Sequence, residues 1–158
     1  MVIRIHDPKV KSTIARKILS QLPEWFGIPA ATEEYIETSQ SLPFFSKRID
    51  DNDIGFIALK ETSPYTAEIY CIAVTKAAHQ KGFGKELILH VEEYAVKQGY
   101  LFLQVKTVAS GHYSNYDQTN RFYRSVGFRE LEVFPTLWDA KNPCQVYVKS
   151  LTKTSANH

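Results

Sequence analysis

A glycine-containing segment is the strongest chemical signal in the sequence: His79-Gln80-Lys81-Gly82-Phe83-Gly84-Lys85. It lies between an apolar stretch that ends near Val74 and a helix that we expect to open near Gly84. Glycines let backbone N–H groups approach a ligand closely, and a helix N-terminus adds N–H donors and partial positive charge. The pattern therefore predicts an anion site for phosphate or pyrophosphate, to which Lys81 and Lys85 add charge.

Two common nucleotide-binding patterns do not fit this segment. A dinucleotide-binding loop needs a third glycine where Leu87 stands, and a Walker loop needs the spacing GxxxxGK[ST]. Here only Phe83 separates Gly82 from Gly84, and Glu86 follows Lys85. An ordinary strand-to-helix turn that binds no ligand is the remaining alternative.

The composition indicates a small α/β domain. The chain has 158 residues, and a single domain typically takes about 100–200. A formal net charge of +2 gives no electrostatic reason to expect a nucleic-acid partner. Two cysteines without CxxC spacing and histidines without ligand spacing predict neither a disulfide framework nor a metal site.

The sequence also gives expectations for the cellular location of the protein and for the bounds of its domain. The sequence has neither a signal-peptide core near its start nor an apolar run long enough for a membrane span, so we expect a cytoplasmic protein without a membrane partner. One domain is predicted over residues 1–151. The polar residues 152–158 are predicted to form a flexible tail.

Hydrophobic periodicity predicts eleven elements in the order β-α-α-β-β-β-α-β-α-β-β. The predicted helices span 8–22, 29–42, 84–97 and 119–126, and the predicted strands span 2–5, 44–49, 54–60, 66–74, 101–105, 128–134 and 145–151. This order predicts a mixed, mostly antiparallel sheet flanked by helices. A central βαβ unit is expected from strand 66–74, its following helix and strand 101–105. A long polar loop is predicted over 107–118.

Two motifs together resemble the GNAT superfamily of acyl-CoA-dependent N-acetyltransferases. The first is the strand followed by His79-xx-Gly82-x-Gly84, where the family usually has Arg or Gln in place of His79. The second is Asn120-Arg-Phe-Tyr123-Arg-Ser-Val-Gly127-Phe128. Both lie in the family's order, and the resemblance covers residues 2–151. The segments 22–28 and 134–144 also resemble a bacterial subgroup of unknown acceptor.

The resemblance implies that an acetyl group moves from acetyl-CoA directly to a primary amine of a small molecule or peptide. It implies that the backbone of Ile72 and Val74 contacts the pantetheine arm and that residues 79–85 hold the pyrophosphate. Asn120 is expected to hydrogen-bond the pantetheine arm, and the family places the tyrosine at Tyr123 near the CoA sulfur. Family members are often dimers, so a homodimer is an open expectation.

Glu68 is the residue that we predict as general base. An attacking amine must be neutral, yet free amines have pKa values of about 8 to 10.4, so a base must take a proton. Positions 68, 70, 72 and 74 share one face of the predicted strand, and a branch of the family has its base at this offset. The alternatives are an exposed glutamate without a role and a bulge that reverses the alternation.

Tyr123 is the predicted acid, because a tyrosine of ordinary pKa, about 10, is protonated at neutral pH and can protonate the departing thiolate. A half-buried helix tyrosine without a catalytic role is the alternative. An acyl-cysteine route through Cys71 is not expected, because a cysteine in an apolar strand usually behaves as a small buried hydrophobe.

The acceptor site is predicted near the second helix. Four acids and no Lys or Arg lie between Ile18 and Ser46, and the family's first two helices commonly border the acceptor. We expect this acidic charge, beside aromatic side chains, to attract a cationic amine. The predicted acceptor residues are Glu24, Trp25, Phe26 and Tyr35. A solvated acidic helix face is the alternative.

Two other functions compete with the enzyme. One is a non-catalytic acyl-CoA-binding sensor or regulatory module, and the other is an unrelated nucleotide-binding domain. The presence of both Glu68 and Tyr123 favours the enzyme over the sensor.

Overall fold

A computed structural model describes residues 1–151, which form seven strands and four α-helices. The strands are β1 (Val2–Ile5), β2 (Phe44–Ile49), β3 (Asn52–Ser63), β4 (Thr66–Val74), β5 (Phe102–Val108), β6 (Arg129–Asp139) and β7 (Asn142–Ser150). The helices are α1 (Pro8–Leu19), α2 (Pro29–Ser39), α3 (Phe83–Lys97) and α4 (Ser114–Ser125). A short 3-10 helix covers Lys76–Ala78. The predicted tail 152–158 lies outside the described residues.

The strands form one sheet in the order β1-β2-β3-β4-β5-β7-β6. Antiparallel pairs join β1 to β2, β2 to β3, β5 to β7 and β6 to β7. In the chain, α3 connects β4 to β5, which are neighbours in the sheet order. The prediction of a mixed, mostly antiparallel sheet with helices is confirmed.

Helix α1 begins as its sequence predicts and ends earlier. The Asp7 carboxylate accepts a hydrogen bond of 2.8 Å from the Lys9 N–H, and Pro8 occupies the first turn. The helix ends at Leu19, whereas we predicted residue 22. The Leu22 N–H instead bonds the Leu19 carbonyl in a tight turn that still buries the Leu22 side chain. The apolar residues thus keep their helical spacing beyond Leu19, the last residue of the helix.

Helix α4 begins earlier than predicted, because its first residues are polar and show no apolar periodicity. The helix begins at Ser114, five residues before the predicted start, and β5 runs on to Val108. The predicted loop 107–118 is therefore too long. The first turn of α4 is Ser-Asn-Tyr-Asp, which carries no apolar period, and the Asp117 carboxylate there accepts the Gly111 N–H at 2.7 Å.

Contacts divide the chain into two compact units. The first contains Met1–Lys60 and Ile69–Glu93, and the second contains Glu61–Glu68 and the chain from Tyr94 onward. The core of the first unit includes Phe44 and Phe56, whose rings stack with centroids 5.0 Å apart. The second unit buries Leu103, Phe128 and Tyr147, among others. The prediction of one domain over 1–151 stays a prediction.

Among the residues described, no helix is long and apolar enough to cross a bilayer.

Replacement of Phe56 by Ala tests the core of the first unit. The side chain is fully buried against Phe44, so we expect Phe56→Ala to lower the free energy of unfolding by about 3–5 kcal/mol in urea denaturation. Tyr65→Ala is the control, because this ring is 61% exposed and its loss should change the value by about 0.5 kcal/mol or less. A loss of stability for Phe56→Ala no larger than that of the control would contradict the assignment.

Candidate functional site

The connection between β4 and α3 has a backbone shape suited to anions. Gln80 and Gly82 have φ angles of 63° and 84°, in the left-handed region. Helix α3 begins at Phe83, one residue before the predicted start, and its first turn closes with a 3.0 Å bond from the Glu86 N–H to the Gly82 carbonyl. Alternating signs of φ immediately before a helix are typical of anion-binding backbone, in which successive N–H groups converge on one ligand. Lys81 and Lys85 are exposed beside it.

His79 braces this connection with its side chain. Its Nε2 lies 2.7 Å from the Val74 carbonyl. A carbonyl accepts, so Nε2 carries the proton that it donates. The Trp25 ring meets the imidazole edge to face, with centroids 5.7 Å apart. The Nε2 atom of His79 is thus engaged with the end of β4 and is not available to donate to an anion.

Strand β4 has the burial pattern that its sequence predicts near this connection. Cys71 and Ala73 are buried in the core of the first unit. Ile72 and Val74, which alternate with them, are half-buried. These are the two residues predicted to present backbone to a pantetheine arm.

The acidic segment before and within α2 is partly neutralised. Arg16 donates to both carboxylate oxygens of Glu33, at 2.8 and 2.7 Å, and Lys76 forms an ion pair with Glu24. Hydrogen bonds from these cations lower the pKa of both carboxyls. The expectation of four uncompensated acids is therefore wrong, because the two cations come from outside residues 18–46. Glu34 and Glu37 are exposed.

The predicted acceptor aromatics form a chain of ring contacts in the first unit. The rings of Phe26 and Tyr35 meet edge to face at 5.7 Å, and Tyr35 lies 5.3 Å from Tyr70 of β4. Lys60 Nζ lies 5.9 Å from the centroid of the Tyr70 ring. The structure thus brings Glu24 and Trp25 to the β4–α3 connection through Lys76 and His79, and it brings Phe26 and Tyr35 to β4.

In the second unit, Glu68 faces a lysine. Glu68 is buried, and the Lys106 ammonium donates to both of its carboxylate oxygens at 3.1 Å each. The sequence reasoning missed Lys106 because it ended the strand at residue 105, whereas β5 continues through it. A buried carboxylate needs such a partner, but this partner comes from another strand, 38 residues away in the chain, and local spacing does not point to it.

Asn120 of α4 uses its amide within the protein. Its Nδ2 donates to the carbonyls of Val108 and Tyr116 at 2.8 and 2.7 Å, and its Oδ1 accepts from the Tyr147 hydroxyl at 2.5 Å. Both N–H donors and one lone pair of the oxygen are therefore engaged, which leaves only the second lone pair of Oδ1 for any hydrogen bond to pantetheine. Arg124 also donates to the Tyr147 hydroxyl, at 3.2 Å. Burial raises the pKa of Tyr147.

Tyr123 is buried next to the same tyrosine. Its ring centroid lies 5.8 Å from that of Phe128 and 5.9 Å from that of Tyr147. Asn120 and Tyr123 lie one helical turn apart, and both contact Tyr147. The two motif residues are thus brought together by a β7 residue that the sequence reasoning did not single out.

Neither cysteine is prepared to act as a nucleophile. Burial raises the pKa of the Cys71 thiol far above its ordinary value and that of Cys144 to about 11. Both thiols are therefore protonated at neutral pH, and only a thiolate attacks readily. Within residues 1–151, no three His, Cys, Asp or Glu side chains lie together in a way that could hold a metal ion.

Comparison with known proteins gives the family. The model of the acetyltransferase (GNAT) family matches residues 13–128, and the chain belongs to this family. The uncharacterised N-acetyltransferase YvbK of Bacillus subtilis is 33% identical over 97 residues, 61% of this chain and 57% of that protein. The matched stretches span about three fifths of the length of the curated relatives.

Two solved structures share the fold. One, from Desulfovibrio desulfuricans and attributed to the GNAT family, has a TM-score of 0.81 at 19% identity and covers 96% of this chain and 99% of its own. The other is an aminoglycoside 6'-N-acetyltransferase complexed with coenzyme A, with a TM-score of 0.73 at 13% identity and coverage of 96% and 98%. At these identities the likeness concerns the fold alone.

Substitution at Gly84 tests whether the β4–α3 connection binds an anion. We expect Gly84→Asp to lower the affinity for acetyl-CoA more than about tenfold in calorimetric titration, because a carboxylate in the first turn of α3 repels phosphate. Gly84→Asn is the matched control, since it has the same shape without the charge. Equal affinity of Gly84→Asp and the unmodified protein would contradict the anion site, and equal losses in both variants would make the effect steric.

Proposed function

We propose that the protein is an N-acetyltransferase that moves an acetyl group from acetyl-CoA to a primary amine of a small molecule or peptide by direct attack. The observation that carries the proposal is the backbone between β4 and α3, where positive φ angles at Gln80 and Gly82 immediately precede the N-terminus of α3. Membership of the acetyltransferase family supports it. The coenzyme A in a protein of the same fold also supports it.

The residues present fit the phosphate end of acetyl-CoA. A side-chain carbon at Gly82 would meet nothing within 4 Å, so the outside of the turn is open to a ligand. Exposed Lys81 and Lys85 would neutralise charge there, and the first N–H groups of α3 would donate to pyrophosphate oxygens. The backbone of Ile72 and Val74 would hold the pantetheine arm. When bound, acetyl-CoA supplies an activated thioester.

Glu68 would take the proton from the acceptor amine. A base must lie within hydrogen-bond reach of the nitrogen that it deprotonates, and both Glu68 oxygens already lie at that distance from an amine, Lys106 Nζ. The acceptor nitrogen would therefore share Glu68 with Lys106 or displace it. In this proposal Lys106 is a positioning residue, which fixes the orientation of the carboxylate before the acceptor arrives.

Tyr123 would return a proton to the departing thiolate. Its ring is held by Phe128 and Tyr147, so the position of its hydroxyl is set by packing on two sides. The acceptor would approach along Trp25, Phe26 and Tyr35, and the exposed carboxylates of Glu34 and Glu37 would favour a cationic amine.

Ligand-dependent thermal unfolding tests the proposed donor. Acetyl-CoA at about 100 times its Kd should stabilise the protein by about 2.7 kcal/mol, which raises Tm by several degrees. ATP and NAD are the controls, and neither should produce this shift. The absence of a Tm shift at millimolar acetyl-CoA would exclude both the acetyltransferase hypothesis and the acyl-CoA sensor hypothesis. A Tm shift with ATP would favour a nucleotide-binding domain.

Glu68→Gln separates catalysis from binding. The amide keeps the shape of the side chain but cannot accept the proton as a carboxylate does, so we expect kcat to fall about 100-fold or more with the Kd for acetyl-CoA unchanged. Glu93→Gln, at an exposed position of α3, should leave both constants unchanged. The readout is release of free CoA thiol with a panel of amines. Turnover by Glu68→Gln at the unmodified rate would exclude this residue as the base.

Tyr123→Phe tests the proposed acid. Phenylalanine keeps the ring contacts and removes only the hydroxyl, so we expect turnover to fall about tenfold or more while acetyl-CoA affinity changes little. Tyr65→Phe, at an exposed tyrosine, is the matched control. An unchanged kcat in Tyr123→Phe would assign the protonation of the thiolate to another group.

A further inference from the structure

A lysine of the chain already lies at the distance from the proposed base that an acceptor amine must reach. Lys106 Nζ is 3.1 Å from each carboxylate oxygen of Glu68. Hydrogen-bond reach between base and nitrogen is the geometric condition for deprotonation of an acceptor. Both residues belong to the second unit. Lys106 therefore meets, within its own chain, the condition that an external amine would meet on binding.

The carboxylate of this ion pair has little contact with water. The Glu68 side chain is 12% exposed, whereas Glu86, the partner of Lys47 in another ion pair, is 42% exposed. A carboxylate removed from water depends on its protein partner for hydrogen bonds. The lysine nitrogen is therefore held against Glu68 rather than exchanged for water.

The Lys106 side chain is partly open to solvent. Leu103 and Val105 of β5 are buried, and Lys106 lies on the other face of this strand, because side chains alternate between the two faces. The Lys106 side chain is 30% exposed. A ligand can therefore approach the nitrogen while Glu68 stays largely shielded.

We infer that Lys106 is itself an acetyl acceptor: in the absence of an external amine, the protein transfers an acetyl group from acetyl-CoA to its own Lys106 Nζ. The inference rests on the proposed function, because it uses the same donor and the same base. It adds a modification site to that function, at the side chain that orients Glu68.

The transfer balances in atoms and charge. The Lys106 ammonium gives one proton to Glu68, and the nitrogen lone pair then attacks the carbonyl carbon of the thioester. The N–C bond forms and the C–S bond breaks, so the sulfur leaves with the bonding electron pair. A second nitrogen proton reaches the sulfur through Tyr123, and Glu68 releases the first proton to water. The products are Nε-acetyl-Lys106, CoA thiol and one proton.

Acetylation would change the site at which it occurs. The amide nitrogen is neutral, so Glu68 loses its cationic partner, and the acetyl group occupies space beside the base that an external amine needs. The reaction therefore stops after one acetyl group per chain, and it lowers the later turnover of external amines.

Incubation with isotopically labelled acetyl-CoA, without any amine, tests the inference. The label excludes acetyl groups acquired during expression. Peptide mass spectrometry should show Lys106 acetylated at least about tenfold faster than Lys17 and Lys97, two exposed lysines that report the uncatalysed reaction. The rate should not change when the protein is diluted at constant acetyl-CoA, because the transfer occurs within one chain. Turnover of an external amine after this incubation should fall in proportion to the acetylated fraction.

Three variants separate self-acetylation from other reactions. Lys106→Arg keeps a cation beside Glu68 but offers no lysine amine. Whatever its starting turnover, this variant should not lose activity on incubation with acetyl-CoA. Glu68→Gln should slow the acetylation of Lys106 about 100-fold. Glu93→Gln, at an exposed position of α3, is the matched control and should leave the acetylation rate unchanged.

The outcomes distinguish this inference from the proposed function. An unmodified Lys106 in a protein that acetylates an amine of the panel would overturn the inference and leave the proposed function standing. The absence of both reactions in a protein that acetyl-CoA stabilises would overturn the two together. Acetylation of Lys106 no faster than that of Lys17, undiminished in Glu68→Gln, or faster at higher protein concentration would also overturn the inference.

Discussion

The connection between β4 and α3 is the constraint on which the proposed phosphate site depends. Its backbone must change from extended to helical within a few residues. The left-handed conformations of Gln80 and Gly82 accomplish this. For a residue other than glycine such a conformation is costly, so the surroundings must hold it. His79 bonds the end of β4 and Trp25 contacts His79, so the segment after α1 contributes to the shape of the proposed phosphate site.

In the second unit, buried polar side chains constrain the structure in a comparable way, because each needs a hydrogen-bond partner. Glu68 and Asn120 are removed from water, and each such group is stable only with partners. Lys106 provides them for Glu68, while Val108, Tyr116 and Tyr147 provide them for Asn120. The side chains proposed to handle protons are therefore held by ionic and hydrogen-bond contacts whose loss would cost stability as well as geometry.

The sequence predicts best those elements for which the apolar periodicity and the flanking turn residues indicate the same bounds. Strand β4 matches its predicted bounds, and α3 matches within one residue, because apolar periodicity there is flanked by turn residues. The family followed from two motifs in register. Lys106, Tyr147 and the cations that pair with Glu24 and Glu33 could not be predicted in the same way. Their roles arise from partners distant in the chain, which local spacing does not reveal. The start of α4 was missed because its first turn is polar.

The positions of the two tryptophans also give the protein two intrinsic fluorescence probes. The chain has two tryptophans. Trp25 touches the imidazole that braces the proposed phosphate loop, and Trp138 stands exposed on β6. Indole emission responds to polarity and to nearby imidazole, so a variant that retains Trp25 alone would signal events at the loop. A variant that retains Trp138 alone would signal changes in the surroundings of β6. The two single-tryptophan variants can thus report the two surfaces separately, without an added label.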